Sequence, residues 1–151
     1  MTEDLQHQGG RIVVGVDGSA PSNEAVEWAA KQAALTGSAL VLVAAWHVPA
    51  MAYGSLVPVP QDLDLGGATH QLVDQVADAV EKQHPGLDVV RQVTEGQPAL
   101  VLVEESEGAN LLVVGSRGHG AFAGMLLGSV SEYCVTHATI PVVVVHHDGE
   151  G

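Results

Sequence analysis

The chain has 151 residues, 46% of them hydrophobic and only 3% aromatic, and its formal net charge is -13 at pH 7. This length fits one domain with a sizeable core and leaves no room for a second catalytic domain. The negative charge argues against nucleic acid or an anionic membrane surface as a partner, because the long-range field would repel both.

Continuous apolar runs alternate along the chain with helical patterns. Apolar runs without polar alternation predict strands buried on both faces. Apolar residues at helical spacing, with proline near the start and glycine at the end, predict the helices. In chain order we predict strand 11–16, helix 21–36, strand 39–46, helix 68–84, strand 87–93, helix 98–106, strand 110–114, helix 129–138 and strand 140–145. This alternation predicts an α/β fold, an open parallel sheet with helices on both faces in a flavodoxin-like or Rossmann-like three-layer sandwich.

The two ends of the chain read as tails around a single domain. We expect a flexible N-terminal tail over residues 1–10, one domain over 11–147 and a C-terminal tail over 148–151. The first ten residues are polar and lack the apolar core of a signal peptide. No apolar run reaches the roughly 18 residues that span a bilayer, so we expect a soluble, cytoplasmic protein. The single cysteine, Cys134, excludes an internal disulfide, and its apolar helical context predicts a packed side chain.

The segment from Pro49 to Gly67 has no helical period. It holds three prolines and three glycines, which predicts a long loop over the edge of the sheet where the strands end. Loops of this length are often lids or simply disordered, and the sequence leans slightly towards a lid.

A glycine motif follows the strand that ends at Val114. Gly115-Ser116-Arg117-Gly118 is separated by nine residues from Gly128-Ser129, which opens the next helix. Glycines permit a positive φ and let bare amides approach a ligand, and the start of a helix attracts anions. The pattern predicts a phosphate cradle made of backbone. The alternative is a flexible connection between strand and helix.

Two motifs resemble those of the universal stress protein family. The spacing G-x2-G-x9-G-[ST] is that of the family's ATP-binding motif, and Val-Gly-Val-Asp-Gly-Ser at residues 14–19 is similar to its opening V-x-V-D-G-S. The resemblance runs from Arg11 to about His146. It implies strand order 3-2-1-4-5, with ATP held where that order reverses, between strands one and four. Asn110 is a departure, since an aspartate is common there.

The resemblance also implies which residues form the site. Asp17 could accept ribose hydroxyls or hold a Mg²⁺ ion that bridges phosphates. Alternatively, Asp17 and Ser19 only make the turn and cap the first helix. Arg117 and His119 are the potential cations of the glycine loop, or else solvated side chains. The binding residues expected in full are Gly15, Asp17, Ala44, Ala45, Gly115, Ser116, Arg117, Gly118, His119, Gly120, Ala121, Gly128, Ser129 and Val130.

Ser129 has two possible uses. Ser129-Val-Ser-Glu132 has the S-x-x-E pattern of a capping box, in which the serine hydroxyl accepts a bond from the amide of Glu132. The same hydroxyl could donate to a phosphate, and one hydroxyl can do both.

Three functions remain open at this point. The resemblance implies an ATP-binding stress protein that acts as a nucleotide-dependent sensor or regulator. A slow Mg²⁺-dependent ATPase is the second reading, although no dedicated base is visible and we expect weak or absent turnover. A non-nucleotide interaction module is the third, and the intact glycine motif argues against it.

The last strand suggests how the chain assembles. In the implied strand order, the four valines Val142 to Val145 form an edge strand with both faces apolar, which is an aggregation hazard unless it is covered. A two-fold axis would pair this strand with its copy, and the family's dimers resemble that arrangement. We therefore expect a homodimer through Pro141 to His146. The alternative is an edge covered by the C-terminal tail.

Overall fold

The structure is a computed structural model that describes residues 9–47, 64–117 and 127–146. Five strands alternate with four helices over these ranges. In chain order the elements are β1 Arg11–Gly15, α1 Ala20–Thr36, β2 Ala39–Trp46, α2 Leu65–Gln83, β3 Val89–Glu95, α3 Pro98–Glu105, β4 Leu111–Gly115, α4 Ser129–His137 and β5 Val142–Val145. None of the helices described here has the length and apolar character needed to cross a membrane.

The five strands form one parallel sheet in the order β3-β2-β1-β4-β5. In its register Gly15 at the end of β1 lies beside Val43 of β2, and Val14 lies beside Val113 of β4. The predicted fold class and strand order are both confirmed. Because the order reverses at β1, the loops after β1 and β4 diverge to opposite faces and leave a crevice between them.

Each face of the sheet packs against a pair of helices. On one face Val14 and Leu42 lie in a cluster with Ala29 of α1 and Val73 of α2. On the other face Val13, Val43 and Leu112 pack with Leu102 of α3 and Cys134 of α4. Adjacent residues such as Val13 and Val14 are therefore buried on opposite faces, which explains why the strands read as continuous apolar runs.

Cys134 is fully buried in the second of these clusters. Its burial raises the pKa of the thiol to about 11. This burial confirms the prediction of a packed side chain. A thiol with this pKa stays protonated at neutral pH.

Helix α2 begins at Leu65, so the predicted loop from Pro49 to Gly67 was wrong at its last three residues. The side chain of Asp64 accepts a hydrogen bond from the amide of Gly67 at 2.8 Å and caps the helix. A Cβ placed on Gly66 would lie 3.1 Å from Cε2 of Trp46, so this glycine lets the helix pack closely on the tryptophan ring. Residues 48–63 of that loop lie outside the described ranges.

The predicted capping box at Ser129 was also wrong. The N-cap residue of α4 is Gly128, and Ser129 is already the first helical residue. The amide of Glu132 donates to the carbonyl oxygen of Gly128 at 2.9 Å, so the Ser129 hydroxyl is not its acceptor. Ser129 is exposed.

At the amino-terminal edge of the sheet, Gly9 is bonded to two distant side chains. Its carbonyl oxygen accepts from Ser38 Oγ and from Asn110 Nδ2, each at 2.7 Å. An asparagine at position 110 can donate this bond, whereas an ionised aspartate has no donor. Gly10 also accepts from the amide of Ala39 at 2.9 Å. The last two residues of the predicted N-terminal tail are therefore bonded to the domain, while residues 1–8 and 147–151 lie outside the described ranges.

Candidate functional site

A cleft opens at the carboxyl-terminal ends of β1 and β4, where the topology predicts a ligand site. Its floor comes from the ends of three strands, and its walls come from residues of all four helices. The lining residues are Gly15, Val16, Asp17, Ser22, Val43, Ala45, Thr69, Leu72, Pro98, Leu102, Val114, Gly115, Arg117, Val130 and Ser131. The cavity volume is about 200 Å³. Pockets that enclose a whole drug-sized ligand measure roughly 300–1,000 Å³, so this cleft would enclose part of such a ligand.

The turn after β1 is held by the carboxylate of Asp17. Its Oδ1 accepts from the amide of Ser19 at 2.8 Å and from the Ser19 hydroxyl at 2.6 Å. Gly18 between them has a φ of +82°, which strongly favours glycine. Ser19 Oγ in turn accepts from the amide of Ser22 at 3.3 Å and caps α1. Asp17 and Ser19 therefore do make the turn and the cap, and the exposed carboxylate of Asp17 still lines the cleft.

Ser22 ties the end of β1 to the first turn of α1. Its buried hydroxyl donates to the carbonyl oxygen of Gly15 and accepts from the amide of Asp17, both at 3.1 Å. The sequence interpretation missed this residue. Its signal was the spacing of three residues from the capping Ser19, which places it beside the helix start.

The glycines at the two ends of the glycine motif serve a different purpose from the expected one. Gly115 does not have a positive φ, and Gly128 has a φ of -75°, so the expectation of left-handed backbone was wrong at both positions. A Cβ on Gly115 would lie 2.7 Å from the carbonyl carbon of Pro21 in α1. Gly115 is therefore needed because a helix passes close to the end of β4.

The segment between β4 and α4 is closed at its base by Ser116. The carbonyl oxygen of Ser116 accepts from the amide of Gly128 at 2.7 Å and from the Ser131 hydroxyl at 2.8 Å. The amide of Ser116 donates to the carbonyl oxygen of Val145 in β5 at 2.9 Å. Ser116 therefore joins the end of β4 to the start of α4 and to the end of β5.

The structure brings part of the predicted site together. Six predicted residues line the cleft: Gly15, Asp17, Ala45, Gly115, Arg117 and Val130. Ala44 is buried on the opposite face of the sheet. Ser116 and Gly128 do not line the cleft, and they are hydrogen-bonded to each other where the segment between β4 and α4 begins and ends. Ser129 is exposed at the start of α4. The predicted residues Gly118, His119, Gly120 and Ala121 lie outside the described ranges.

The sequence interpretation missed the helical walls. Thr69 and Leu72 come from the first turns of α2, and Pro98 and Leu102 come from α3. Gly15 belongs to this wall as well, because a Cβ there would lie 3.0 Å from Cδ1 of Leu102. The signal that could have found them is their place in helices that begin at the carboxyl-terminal edge of the sheet.

A metal ion would find few protein ligands in this cleft. Among the described residues, no group of three or more His, Cys, Asp or Glu side chains could hold a metal. Asp17 offers a single carboxylate there. Mg²⁺ is commonly bound through one or two carboxylates together with substrate phosphates and water. The residues present therefore suit an ion that arrives with a phosphate ligand.

Comparison with known proteins identifies the chain. The model of the universal stress protein family matches residues 10–146. The chain belongs to this family. The universal stress protein of Mycolicibacterium smegmatis is 38% identical over 146 residues, which make up 92% of this chain and 49% of that protein. A universal stress protein of Mycobacterium tuberculosis is 37% identical over 137 residues, which make up 88% of this chain and 44% of that protein.

The chain spans about half the length of these curated universal stress proteins. Two solved structures agree with this chain over nearly their complete lengths. A universal stress protein in complex with cAMP is 29% identical, with a TM-score of 0.67, and 92% of this chain and 98% of that chain are covered. A family member from Arabidopsis thaliana with AMP bound is 20% identical, with a TM-score of 0.67 and 93% of each chain covered, and it shows the shared fold.

Proposed function

We propose that the chain is an ATP-binding universal stress protein that acts as a nucleotide-dependent sensor or regulator. The observation that carries this proposal is the meeting of two loops at one cleft. Asp17 after β1 and Arg117 after β4 line the same cavity although 100 positions separate them in the chain, and Val130 of α4 lines it as well. A cleft at the point where the strand order reverses is the usual ligand site of open α/β sheets.

Known proteins support an adenine nucleotide as the ligand class. The solved relative that is 29% identical is a complex with cAMP. More distant neighbours with the same fold hold dAMP and AMP. These complexes favour adenosine with at least one phosphate, and the glycine motif favours ATP within that class.

The two ends of the cleft differ in character, which suggests how a nucleotide would lie. The side towards β2 is apolar, with Val43, Leu72, Pro98 and Leu102. The side towards β4 holds Arg117 and the first turn of α4. We propose that the adenine ring lies against the apolar side beside Ala45 and that the phosphates lie near Arg117 and the exposed hydroxyl of Ser129.

Hydrolysis is expected to be weak or absent. Among the described residues that line the cleft, Asp17 and Arg117 are the ionisable ones. Phosphoryl transfer to water needs a group that orients the water and donors that stabilise the developing charge. Asp17 is held in its own turn through Oδ1, and no second carboxylate or histidine among the described residues lines the cleft to act as a base.

Two measurements test the proposal. Mass spectrometry of small molecules released from the denatured protein should find an adenine nucleotide, and calorimetric titration should show binding of ATP. An ATP-turnover assay on the same preparation should stay close to the rate without protein. Failure of ATP, ADP, AMP and cAMP to bind would reject the nucleotide site and favour an interaction module. Turnover within the ordinary enzymatic range of 1–1,000 per second, roughly, would show an ATPase instead.

We also propose that the protein is a homodimer through β5, over Pro141 to His146. β5 lies at the edge of the sheet, and its four valines are half-buried, alternating between the two clusters. One backbone edge of this strand pairs with β4, and the other faces away from the sheet. An antiparallel copy of β5 would satisfy those backbone groups and cover the valines at the same time.

A further inference from the structure

We infer that the cleft selects adenine nucleotides by low charge, so that without divalent cations a nucleotide with one phosphate binds better than ATP. The inference rests on the proposed function and concerns the electrostatics of the same site. The deciding features are where the few cations of the chain lie and which helix starts carry acidic residues.

Among the residues that the structure describes, Arg117 is the one basic residue that lines the cleft. Arg11 is at the start of β1, at the opposite edge, and its Nη2 donates to the carbonyl oxygen of Glu107 at 2.9 Å. Arg91 on β3 is held by three carboxylates of α2, with Asp74 at 2.8 Å, Glu81 at 2.9 Å and Asp78 at 3.3 Å. The hydrogen bond to Asp74 raises the pKa of Arg91.

The two lysines are also remote from the cleft. Lys82 lies in the last turn of α2, and Lys31 lies in the second half of α1. Both helices start at the carboxyl-terminal edge of the sheet and run towards the other edge. The ranges 1–8, 48–63, 118–126 and 147–151 contain no lysine or arginine in the sequence. A phosphate in this cleft can therefore meet one permanent cationic side chain, Arg117.

Acidic residues lie at three of the four helix starts on this edge. Asp17 accepts a hydrogen bond from the amide of Ser19 just before α1. Asp64 caps α2, and Glu132 lies in the first turn of α4. A helix start carries the equivalent of about half a positive charge, and a carboxylate beside it offsets that charge. Glu95 at the end of β3 adds a fourth negative charge. The acidic side chains described at this edge therefore outnumber its one permanent cation, Arg117.

This arrangement limits how much phosphate charge the cleft can hold. Near neutral pH, AMP carries about two negative charges and ATP about four. Backbone amides and Arg117 suffice for one phosphate, whereas each further phosphate adds repulsion without adding a cation. Several like charges at distances of about 10 Å, with partial screening, weaken binding by roughly tenfold at low salt. This is the loss of affinity that we expect for ATP relative to AMP. Mg²⁺ bound to the triphosphate removes most of this difference.

The experiment is a set of calorimetric titrations with adenosine, AMP and ATP, in a chelator and then in Mg²⁺. In the chelator we expect AMP to bind about tenfold tighter than ATP, and the gap to narrow as salt rises from about 10 mM to about 100 mM, because the screening length falls from about 30 Å to about 10 Å. ATP that binds tighter than AMP in the chelator, and loses affinity as salt is added, would overturn the inference while leaving the proposed function in place. Absence of binding by all three ligands in both buffers would overturn both.

A pair of matched variants separates local charge from net charge. Glu132→Gln in α4 should tighten ATP about threefold in the chelator while leaving adenosine unchanged. Glu104→Gln makes the same change of net charge near the end of α3, at the opposite edge, and should leave both ligands unchanged. Equal effects of the two substitutions would show that the charge of the whole chain, and not the acidic helix starts, weakens ATP. That result would contradict the inference.

Discussion

The hydroxyl of Ser131 lies 2.8 Å from the carbonyl oxygen of Ser116, although the two residues are 15 positions apart. The amide of Gly128 donates to the same oxygen at 2.7 Å. The amide of Gly128, the last glycine of the motif, is therefore already bonded to Ser116 and is not available to a ligand. Among the described residues between β4 and α4, the amides left for a phosphate include those of the first turn of α4.

Replacing Ser131 by alanine tests this closure. The substitution removes a buried bond that joins α4 to the end of β4, so we expect the free energy of unfolding to fall by about 1–3 kcal/mol. Nucleotide affinity should fall as well, because the loop would lose part of its base. Urea unfolding and calorimetric titration check both effects. Ser129→Ala is the matched control for the unfolding measurement only, because that exposed hydroxyl should change stability by less than about 0.5 kcal/mol. It is not a control for affinity, since we propose that the same hydroxyl lies near the phosphates.

The carboxylate of Asp17 holds a turn and lines the cleft, and two substitutions separate these roles. Asp17→Ala should lower ATP affinity and also destabilise the protein by about 1 kcal/mol, because the amide and hydroxyl of Ser19 lose their acceptor. Asp17→Asn keeps an acceptor oxygen for the turn but removes the charge. We expect it to leave thermal unfolding nearly unchanged while reducing the gain in ATP affinity that Mg²⁺ provides. An unchanged response to Mg²⁺ would show that the ion does not use Asp17.

Arg117→Ala should weaken ATP more than adenosine. Arg117 is the cationic side chain of the cleft, so its partner in the complex should be a phosphate. A charge-assisted hydrogen bond contributes about 1.5–3 kcal/mol, which corresponds to a loss of at least about tenfold in ATP affinity. Titrations with both ligands measure the difference. Equal losses for ATP and adenosine would mean that Arg117 acts on the shape of the cleft.

The buried thiol of Cys134 should not react in the folded protein. Burial raises its pKa to about 11 from an ordinary value of 9.0, so the folded state favours the protonated form. The stabilisation that this group provides is present below pH 9.0 and is lost as the pH rises towards about 11. We expect alkylation of the native protein to follow unfolding and to slow when nucleotide is added. Fast alkylation at neutral pH without unfolding would contradict this placement of α4.

Replacing Val143 or Val144 by lysine tests the proposed dimer. A charged side chain on the edge strand should prevent antiparallel pairing of β5 with its copy and give monomers by light scattering. Both valines also pack on the clusters beneath the helices, so circular dichroism must first show that each variant is folded. Val90→Lys is the matched control on β3 at the other edge of the sheet, and it should remain dimeric. Dimers that persist in both β5 variants would place the interface elsewhere.

The sequence predicted the layers of the fold more accurately than the ends of its elements. Strands such as β2, apolar along its entire length, have no other stable place than between two layers of helices. The start of α2 was missed because Gly66 and Gly67 resemble loop residues in the sequence, whereas Gly66 lies in the helix close to Trp46, 20 positions away. A sequence pattern assigns glycine to a loop. Whether a glycine instead lets a distant side chain pack against the backbone can be seen only in the structure.

The candidate site shows the same division. Asp17 and Arg117 follow strands whose ends meet by topology, so the sequence could bring them together. Leu72 and Leu102 belong to helical patterns that also face the core, and nothing in their spacing separates a cleft residue from a core residue. Ser131 was missed because its partner is a backbone carbonyl, and backbone groups leave no mark in a sequence.

The bond between Asn110 and Gly9 has a practical consequence. It anchors the beginning of the domain at the edge of the sheet opposite the cleft, together with Ser38. Gly9 is therefore held on the side of the molecule opposite the cleft that we propose for a nucleotide. An affinity tag or a fluorescent protein attached there should leave ligand access free, which recommends the N-terminus for immobilisation in binding measurements.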